Sequence, residues 1–250
     1  MFENFPNFSD QPELPPSEQQ LSKISDERRD KYQELFGSCP DQVAIKKTLI
    51  AVWPRGGVME FNSPKLDMRV TITFGLSDLD MPAKEEFLEM NESVEDGRPN
   101  MKVYTRTISE PMPSVPGRAG YGYEVVCLSR DIKSSESLSD EGILLMEFAS
   151  AQLGSIRSNS LDTLDGAEAR IFTITNKDME PEAYYMLARC WDLLPQEFNL
   201  SNGSVSLVSL IKLHPMEYQY ALKNGPRALL AEFKNKGVLP VGDESRGPIV

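Results

Sequence analysis

The spacing of apolar positions changes several times along the chain, and each change marks an element. Between Ser17 and Phe36, the residues Leu21, Ile24, Tyr32, Leu35 and Phe36 recur near helical spacing. Ser17 and Gln20 make a Ser-x-x-Gln capping box, and Gly37 stands where a left-handed residue closes a helix. Val43 to Trp53 is rich in β-branched and apolar residues and reads as extended. Pro54-Arg55-Gly56-Gly57 is turn chemistry, after which Val58 to Phe61 resumes the extended pattern. Met68, Val70, Ile72 and Phe74 then alternate with Arg69, Thr71 and Thr73, which predicts a strand with one buried face ending at Gly75.

Residues 79–100 are acidic and contain Pro82 and Pro99; they read as a long surface excursion with a short helix over Ala83–Met90. Met101–Ile108 and Tyr123–Leu128 read as strands. Between them SEPMPSVPGRAG, residues 109–120, is too rich in proline and glycine for regular structure. A helix is predicted over Asp140–Ile156, with Leu144, Leu145, Phe148 and Leu153 on one face and Ser139 or Asp140 as its cap. Ala169–Thr175 and Val205–Leu213 read as strands, and the stretch Pro181–Trp191 as a helix. Two short helices follow, with Pro215 and Pro226 at their first positions and Gly225 and Gly237 past their ends. The last twelve residues, LPVGDESRGPIV, read as an exit strand or tail. Strands outnumber helices and are often consecutive, so the class is α+β. Residues 1–16 hold Pro6, Pro12, Pro15 and Pro16 with Phe2, Phe5 and Phe8, an extended arm. The expected organisation is an arm and helix over 1–38 and one domain over 39–250.

Charge and reactive residues narrow the function. With 38 acidic and 26 basic side chains, the 250-residue chain carries a formal charge of −12. Such a surface repels phosphate backbones and attracts basic partners, so no nucleic-acid partner is expected. The three cysteines, Cys39, Cys127 and Cys190, are widely spaced and form no disulfide or zinc pattern. The one histidine, His214, precedes Pro215 and reads as a helix cap, so a multi-histidine metal site is not available. No segment reaches the ~18 to 20 continuous apolar residues of a membrane span. The N-terminus lacks the apolar core of a secretory signal, and a cytoplasmic setting is the expectation.

No phosphate-binding loop is present: Gly120-Tyr121-Gly122 precedes a strand, and Gly154-Ser155 is not a nucleophile elbow. Asp162, Asp165 and Glu168 lack the alternating ligand pattern of a calcium loop. Asp78 and Asp80, followed by Glu85 and Glu86, read as a solvated acidic rim, with cation binding or acid–base work as the alternative. Cys127 and Cys190 read as core residues. The residues therefore point to a protein-binding surface and not to an enzyme, and no cofactor is expected.

Four strings carry a resemblance. Phe74-Gly75-Leu76-Ser77-Asp78 ends one strand and Gly120-Tyr121-Gly122-Tyr123-Glu124 opens a later one. Val205–Leu210 is followed by Glu217 and Leu229-Leu230, and the tail runs Gly242–Val250. In order and spacing over about residues 40–250, these resemble the suppressor of fused domain family. In physical terms, Gly75 permits a sharp strand exit, Ser77 and Asp78 cap the turn, and Gly120 and Gly122 permit a tightly packed strand start. Glu124, among apolar residues, needs a partner such as Arg130 or a backbone N–H.

The resemblance implies a mixed sheet with flanking helices and no enzymatic activity. Animal members of that family sequester Gli-type transcription factors, holding a peptide as an added strand between this domain and a second one. Bacterial members resemble immunity proteins of polymorphic toxin systems. The chain ends where the first domain ends, so the two-domain clamp is not expected. In 109–120 the only acid is Glu110, so no peptide-binding residue is carried over. The expected role is that of a single-domain bacterial immunity protein that binds a toxin. Its contact residues are Asp78, Asp80, Glu85, Glu86, Glu92, Glu95 and Asp96. The alternative is a regulatory adaptor that sequesters an extended peptide.

Overall fold

Helix α1 (Glu18–Phe36) begins at the capping box: Ser17 Oγ accepts from Gln20 N, and Gln20 Oε1 accepts from Ser17 N. It ends at Gly37, whose φ of 76° is the left-handed conformation expected there. The computed structural model describes residues 17–46, 49–50, 52–81, 83–95, 98–109, 118–130, 138–154, 169–175, 181–241 and 246–250. The arm at 1–16 and the acidic residues Asp162, Asp165 and Glu168 lie outside these.

Among the described residues, nine strands follow α1, in two sheets. They are β1 (Gly57–Ser63), β2 (Met68–Phe74), β3 (Ala83–Glu95), β4 (Arg98–Ser109), β5 (Arg118–Ser129), β6 (Ala169–Thr175), β7 (Pro181–Arg189), β8 (Glu197–Leu200) and β9 (Gly203–Leu213). The main sheet runs β1-β2-β5-β9-β7-β6, and β8 pairs with the first residues of β9 ahead of β7. The β5–β9 pair is parallel and the others are antiparallel, so the sheet is mixed. β3 and β4 form a separate two-stranded ribbon. The remaining helices are α2 (Asp140–Gly154), α3 (Pro215–Asn224) and α4 (Pro226–Asn235).

Alternation along the central strands sorts the core onto the two faces of the sheet. Val125 and Cys127 of β5, Val208 and Leu210 of β9 and Leu187 of β7 pack with Leu144, Leu145 and Ala149 of α2. Val126 and Leu128, with Val205 and Leu207, pack on the other face with Ile24, Tyr32 and Phe36 of α1. Farther along that second cover lie Leu229, Leu230 and Phe233 of α4, against Met186, Ile211 and Leu213. A sheet covered on both faces is why β9 reads as a nearly continuous apolar run.

Four expectations are corrected. Residues 83–90 are strand, not helix: Ala83–Glu95 pairs with Arg98–Ser109 through a register from Ala83↔Ser109 to Glu95↔Arg98. The segment is thus half of a ribbon and not an irregular excursion. Pro181–Arg189 is also strand, not helix, lying between β6 and β9 with Met186, Leu187 and Ala188 all buried. Pro181 is tolerated because it is the first residue of that strand. Among its described residues, the Val43–Trp53 stretch pairs with β1 only through the Ala44↔Val58 bridge and then turns at Leu49–Trp53, burying Leu49 and Trp53 against α2's core. Lastly, β2 buries both faces, not one: Arg69, Thr71 and Thr73 lie under cover as well. Arg69 is held by Glu141 of α2 at 2.7 Å, so a polar row became an interior one.

Local chemistry at the remaining ends matches the sequence. Ser139 Oγ caps α2 by accepting from Gly142 N. His214 caps α3: its Nδ1 accepts from Met216 N, and Glu217 Oε2 accepts from His214 N. Buried Glu217 also holds the tail, accepting from both terminal nitrogens of Arg246 and from Ile249 N.

Candidate functional site

The two glycine-containing strings meet in space. Gly75, with φ of 98°, turns the chain out of β2, and Asp78 N donates to Gly75 O at 3.3 Å. β5 enters alongside, and Tyr121 N donates to Leu76 O at 2.9 Å. Gly120, at φ of 54°, is the point of closest approach. A Cβ there would stand 2.7 Å from Leu76 O and closer still to Asp78 O, so only glycine fits. The pairing of β5 with β9 slips between Arg118 and Tyr123, so the glycines sit on a bulge that swings toward residues 76–78.

Glu124 lies at the centre, fully buried. Its Oε1 accepts from Gly75 N (3.0 Å), Ser77 N (3.1 Å) and Ser77 Oγ (2.7 Å), and its Oε2 accepts from Thr73 Oγ1 (2.7 Å). Arg28 of α1, also fully buried, brings the countercharge. Its Nη2 donates to Asp78 Oδ1 at 2.6 Å and to Ser77 Oγ at 3.1 Å, and its Nε lies 3.3 Å from Glu124 Oε1. The guanidinium stands over the Phe74 ring, 4.9 Å from its centroid. Tyr32, one turn on, donates its hydroxyl to Thr73 O. Asn202, from the β8–β9 turn, donates to Ser77 O. One guanidinium and two carboxylates thus tie α1, the exit of β2, the entry of β5 and the β8–β9 turn together.

The expected partner of Glu124 was Arg130 or a backbone N–H. Backbone N–H groups do serve, but the cation is Arg28, which sequence reading placed on the helix without a role. The available signal was an arginine at position 28 between the buried positions Ile24 and Tyr32.

Burial sets the electrostatics. It raises the Asp78 carboxyl to about 6 against the pull of Arg28. Burial also raises Asp80, opposed by Arg55. For Arg28, burial opposes the charge, but Asp78 and Glu124 outweigh it and hold the pKa above its ordinary value. Burial and Glu124 hold the Tyr32 phenol well above its usual range. The Cys127 and Cys190 thiols are pushed to about 12 by burial, as expected of core residues.

Asp78 and Asp80 are therefore not a solvated rim: they are 2% and 9% exposed. Asp78 is committed to Arg28, and Asp80 accepts from Arg55, which also reaches Glu18 of α1. Glu85, Glu86, Glu92 and Glu95 lie on β3, whose pairing places Glu86 opposite Arg106 and Glu95 opposite Arg98. Asp96 lies outside the described residues. The six described contact residues thus divide between a buried ion cluster, with Asp78 and Asp80, and a ribbon, with the four glutamates. Among the described residues, no cluster of three or more metal-ligating side chains occurs. No described helix is long and apolar enough to cross a membrane.

No protein-family model matches the chain, and no curated protein matches it. In three dimensions it is similar to the crystal structure of Drosophila Suppressor of Fused, at 13% identity and a TM-score of 0.50. That likeness covers 92% of this chain and 51% of the Drosophila chain. The fold is that of a suppressor of fused-like domain. The crystal structure of the Sufu–Fu complex aligns at a TM-score of 0.49 and 13% identity, over 94% of this chain and 93% of that one. This chain spans about half the length of the Drosophila protein. In this Sufu-like fold, the two strings build the interior junction of the domain.

Proposed function

We propose that the protein acts by binding another protein, and specifically that it neutralises a basic toxin as an immunity protein. The observation that carries the reading is the fate of the two strings on which the resemblance rests. Asp78, Ser77 and Glu124 are spent on internal hydrogen bonds that hold the fold, at 0–2% exposure. Strings that serve a shared fold in this way suit a scaffold whose partner contacts are made elsewhere. The formal charge of −12 supplies the attraction to a basic partner and speeds encounter.

Affinity capture from the native host followed by mass spectrometry tests this. The expected catch is a basic protein whose toxicity is relieved by co-expression, with binding that weakens between low and high salt. Capture that ignores salt sinks the electrostatic part, and catalytic turnover of a small molecule sinks the whole. The second reading is a regulatory adaptor that sequesters an extended peptide. It is favoured by strand edges that pair with no further described strand, on β6, on both sides of the β3–β4 ribbon, and on β1 past its Ala44↔Val58 bridge. Retention of short extended peptides, with no toxin relieved, selects the adaptor.

A further inference from the structure

The segment Arg246–Val250 lies against α3, α4 and the end of β9, and side chains hold it there. Among the described residues, no backbone–backbone hydrogen bond joins it to the rest of the fold. Arg246 fills a socket whose three walls come from three elements. Both of its terminal nitrogens donate to the Glu217 carboxylate of α3, Nη2 reaching Oε2 at 2.8 Å. Nη2 also donates to Lys212 O, at the end of β9, at 3.1 Å. The guanidinium stands over the Phe233 ring of α4, 5.0 Å from its centroid. Three residues on, Ile249 N donates to Glu217 Oε1 at 3.1 Å, and Lys236 Nζ donates to Ile249 O. Ile249 and Val250 pack against the apolar cluster that includes Leu229 and Phe233. The socket keeps its shape without the tail. Glu217 Oε2 is fixed by His214 N at 2.8 Å as part of the α3 cap, and the other walls belong to a strand and a helix. Glu217 is fully buried, so removing the arginine leaves an enclosed carboxylate that needs a cation.

We propose that this socket is a peptide-binding site plugged by the chain's own tail, and that a protein partner uses it by displacing the tail with a segment of the same chemistry: an arginine followed three residues later by a β-branched apolar residue. This rests on the protein-binding reading above and says how a partner engages. The seated tail identifies the occupant, because it shows which groups the socket accepts. An arginine is selected over a lysine, since two bonds to one carboxylate and a flat contact with Phe233 need a planar fork. The spacing of three follows from Glu217, which takes both the guanidinium and the Ile249 N–H. An acidic segment is rejected by the buried carboxylate. The hydrogen bonds of the tail all run through side chains and it belongs to neither sheet, so it can leave without breaking a strand ladder. It then acts as an autoinhibitory plug: the apparent Kd of a competitor is its intrinsic Kd divided by the fraction of molecules with the tail out.

The full chain can be titrated with a labelled, end-blocked peptide of the tail sequence, Arg-Gly-Pro-Ile-Val, and with counterparts that begin with lysine or glutamate. In Arg246→Ala/Ile249→Ser, whose tail no longer competes, the arginine peptide should bind about tenfold or more tighter than to the unaltered chain. The lysine peptide should bind about tenfold more weakly than the arginine peptide, and the glutamate peptide not at all. Adding Glu217→Gln, which keeps an acceptor for His214 N, should abolish the binding. Thermal melts establish that each variant is folded. In the unaltered chain, excess arginine peptide should speed amide exchange at Ile249, a readout that needs no variant to fold. No gain in the folded tail variant, equal binding of the arginine and glutamate peptides, or Ile249 exchange indifferent to the peptide overturns the proposal. A natural protein partner captured equally by the unaltered chain and by Glu217→Gln overturns this site while leaving the protein-binding reading standing.

Discussion

Removing the Arg28 cation should be far more damaging than removing the Asp78 anion. Arg28→Met keeps the length and helix propensity of the side chain but leaves Asp78 and Glu124 together in a fully enclosed site. Breaking a buried ion pair by deleting one partner costs about 3–5 kcal/mol, because the partner keeps its desolvation penalty. For a domain of this size that lowers Tm by roughly 6–20 °C. Asp78→Asn behaves differently. The cluster holds two carboxylates and one guanidinium, so Glu124 still neutralises Arg28. A change within about 1 kcal/mol is expected at pH 7.

The pH dependence gives an independent check. The Asp78 carboxyl is raised to about 6 from 3.8 by burial, so the folded chain takes up a proton before the unfolded chain does. Stability from this group therefore rises as pH falls from about 6 toward 3.8 and is absent above 6. Between pH 7 and 5 the gain is about 1 kcal/mol. Urea unfolding followed by the fluorescence of Trp53 and Trp191, at both pH values, measures all three quantities. In Asp78→Asn the acid gain should vanish, and in Arg28→Met the deficit should narrow at pH 5. A loss below 1 kcal/mol in Arg28→Met, or equal losses in the two variants, would falsify the reasoning.

Gly120→Ala should cost more than about 2 kcal/mol, since its Cβ meets backbone carbonyls that cannot move aside. Gly225→Ala, at φ of 91° with open space around it, should cost about 1 kcal/mol; the two melts should differ clearly. Glu217→Gln should weaken the C-terminal latch by about 1–3 kcal/mol and speed amide exchange at Ile249, whose N–H it accepts. Burial opposes the Glu217 charge, but bonds from Arg246, His214 N and Ile249 N lower its pKa overall. Its contribution is therefore present at neutral pH and lost as pH falls through that lowered value, a loss that Glu217→Gln abolishes. Of the three thiols, Cys39 alone should react with a thiol reagent in the native state, because Cys127 and Cys190 are buried. Rapid labelling of either buried cysteine would contradict this.

Much of the candidate site was legible as strings but not as a site. Gly75, Gly120, Ser77, Asp78 and Glu124 could each be singled out from sequence, and the need of Glu124 for a partner could be stated. That the partner is Arg28, 50 residues before Asp78, could not: helical spacing puts position 28, unlike 29, on the face of Ile24 and Tyr32, but which carboxylate it meets is set by the packing of α1 on the sheet. Arg29 instead donates to the carbonyls of Pro40 and Asp41 near the surface. The helical reading of Ala83–Met90 failed for a related reason: AKEEFLEM has good helix formers, but the ladder with Arg98–Ser109 decides its conformation.

By itself, the sequence determined whatever depends on neighbours within about four residues. The capping boxes at Ser17 and His214, the left-handed close at Gly37, the proline starts of α3 and α4 and the alternation of β2 all follow from local chemistry. The tertiary structure alone decided the strand state of Ala83–Glu95 and Pro181–Arg189, the burial of the Arg69 row and the enclosure of Asp78. Strand pairing and charge burial are set by groups far away in the chain. Their free energies appear only once the chain has closed those loops and excluded water.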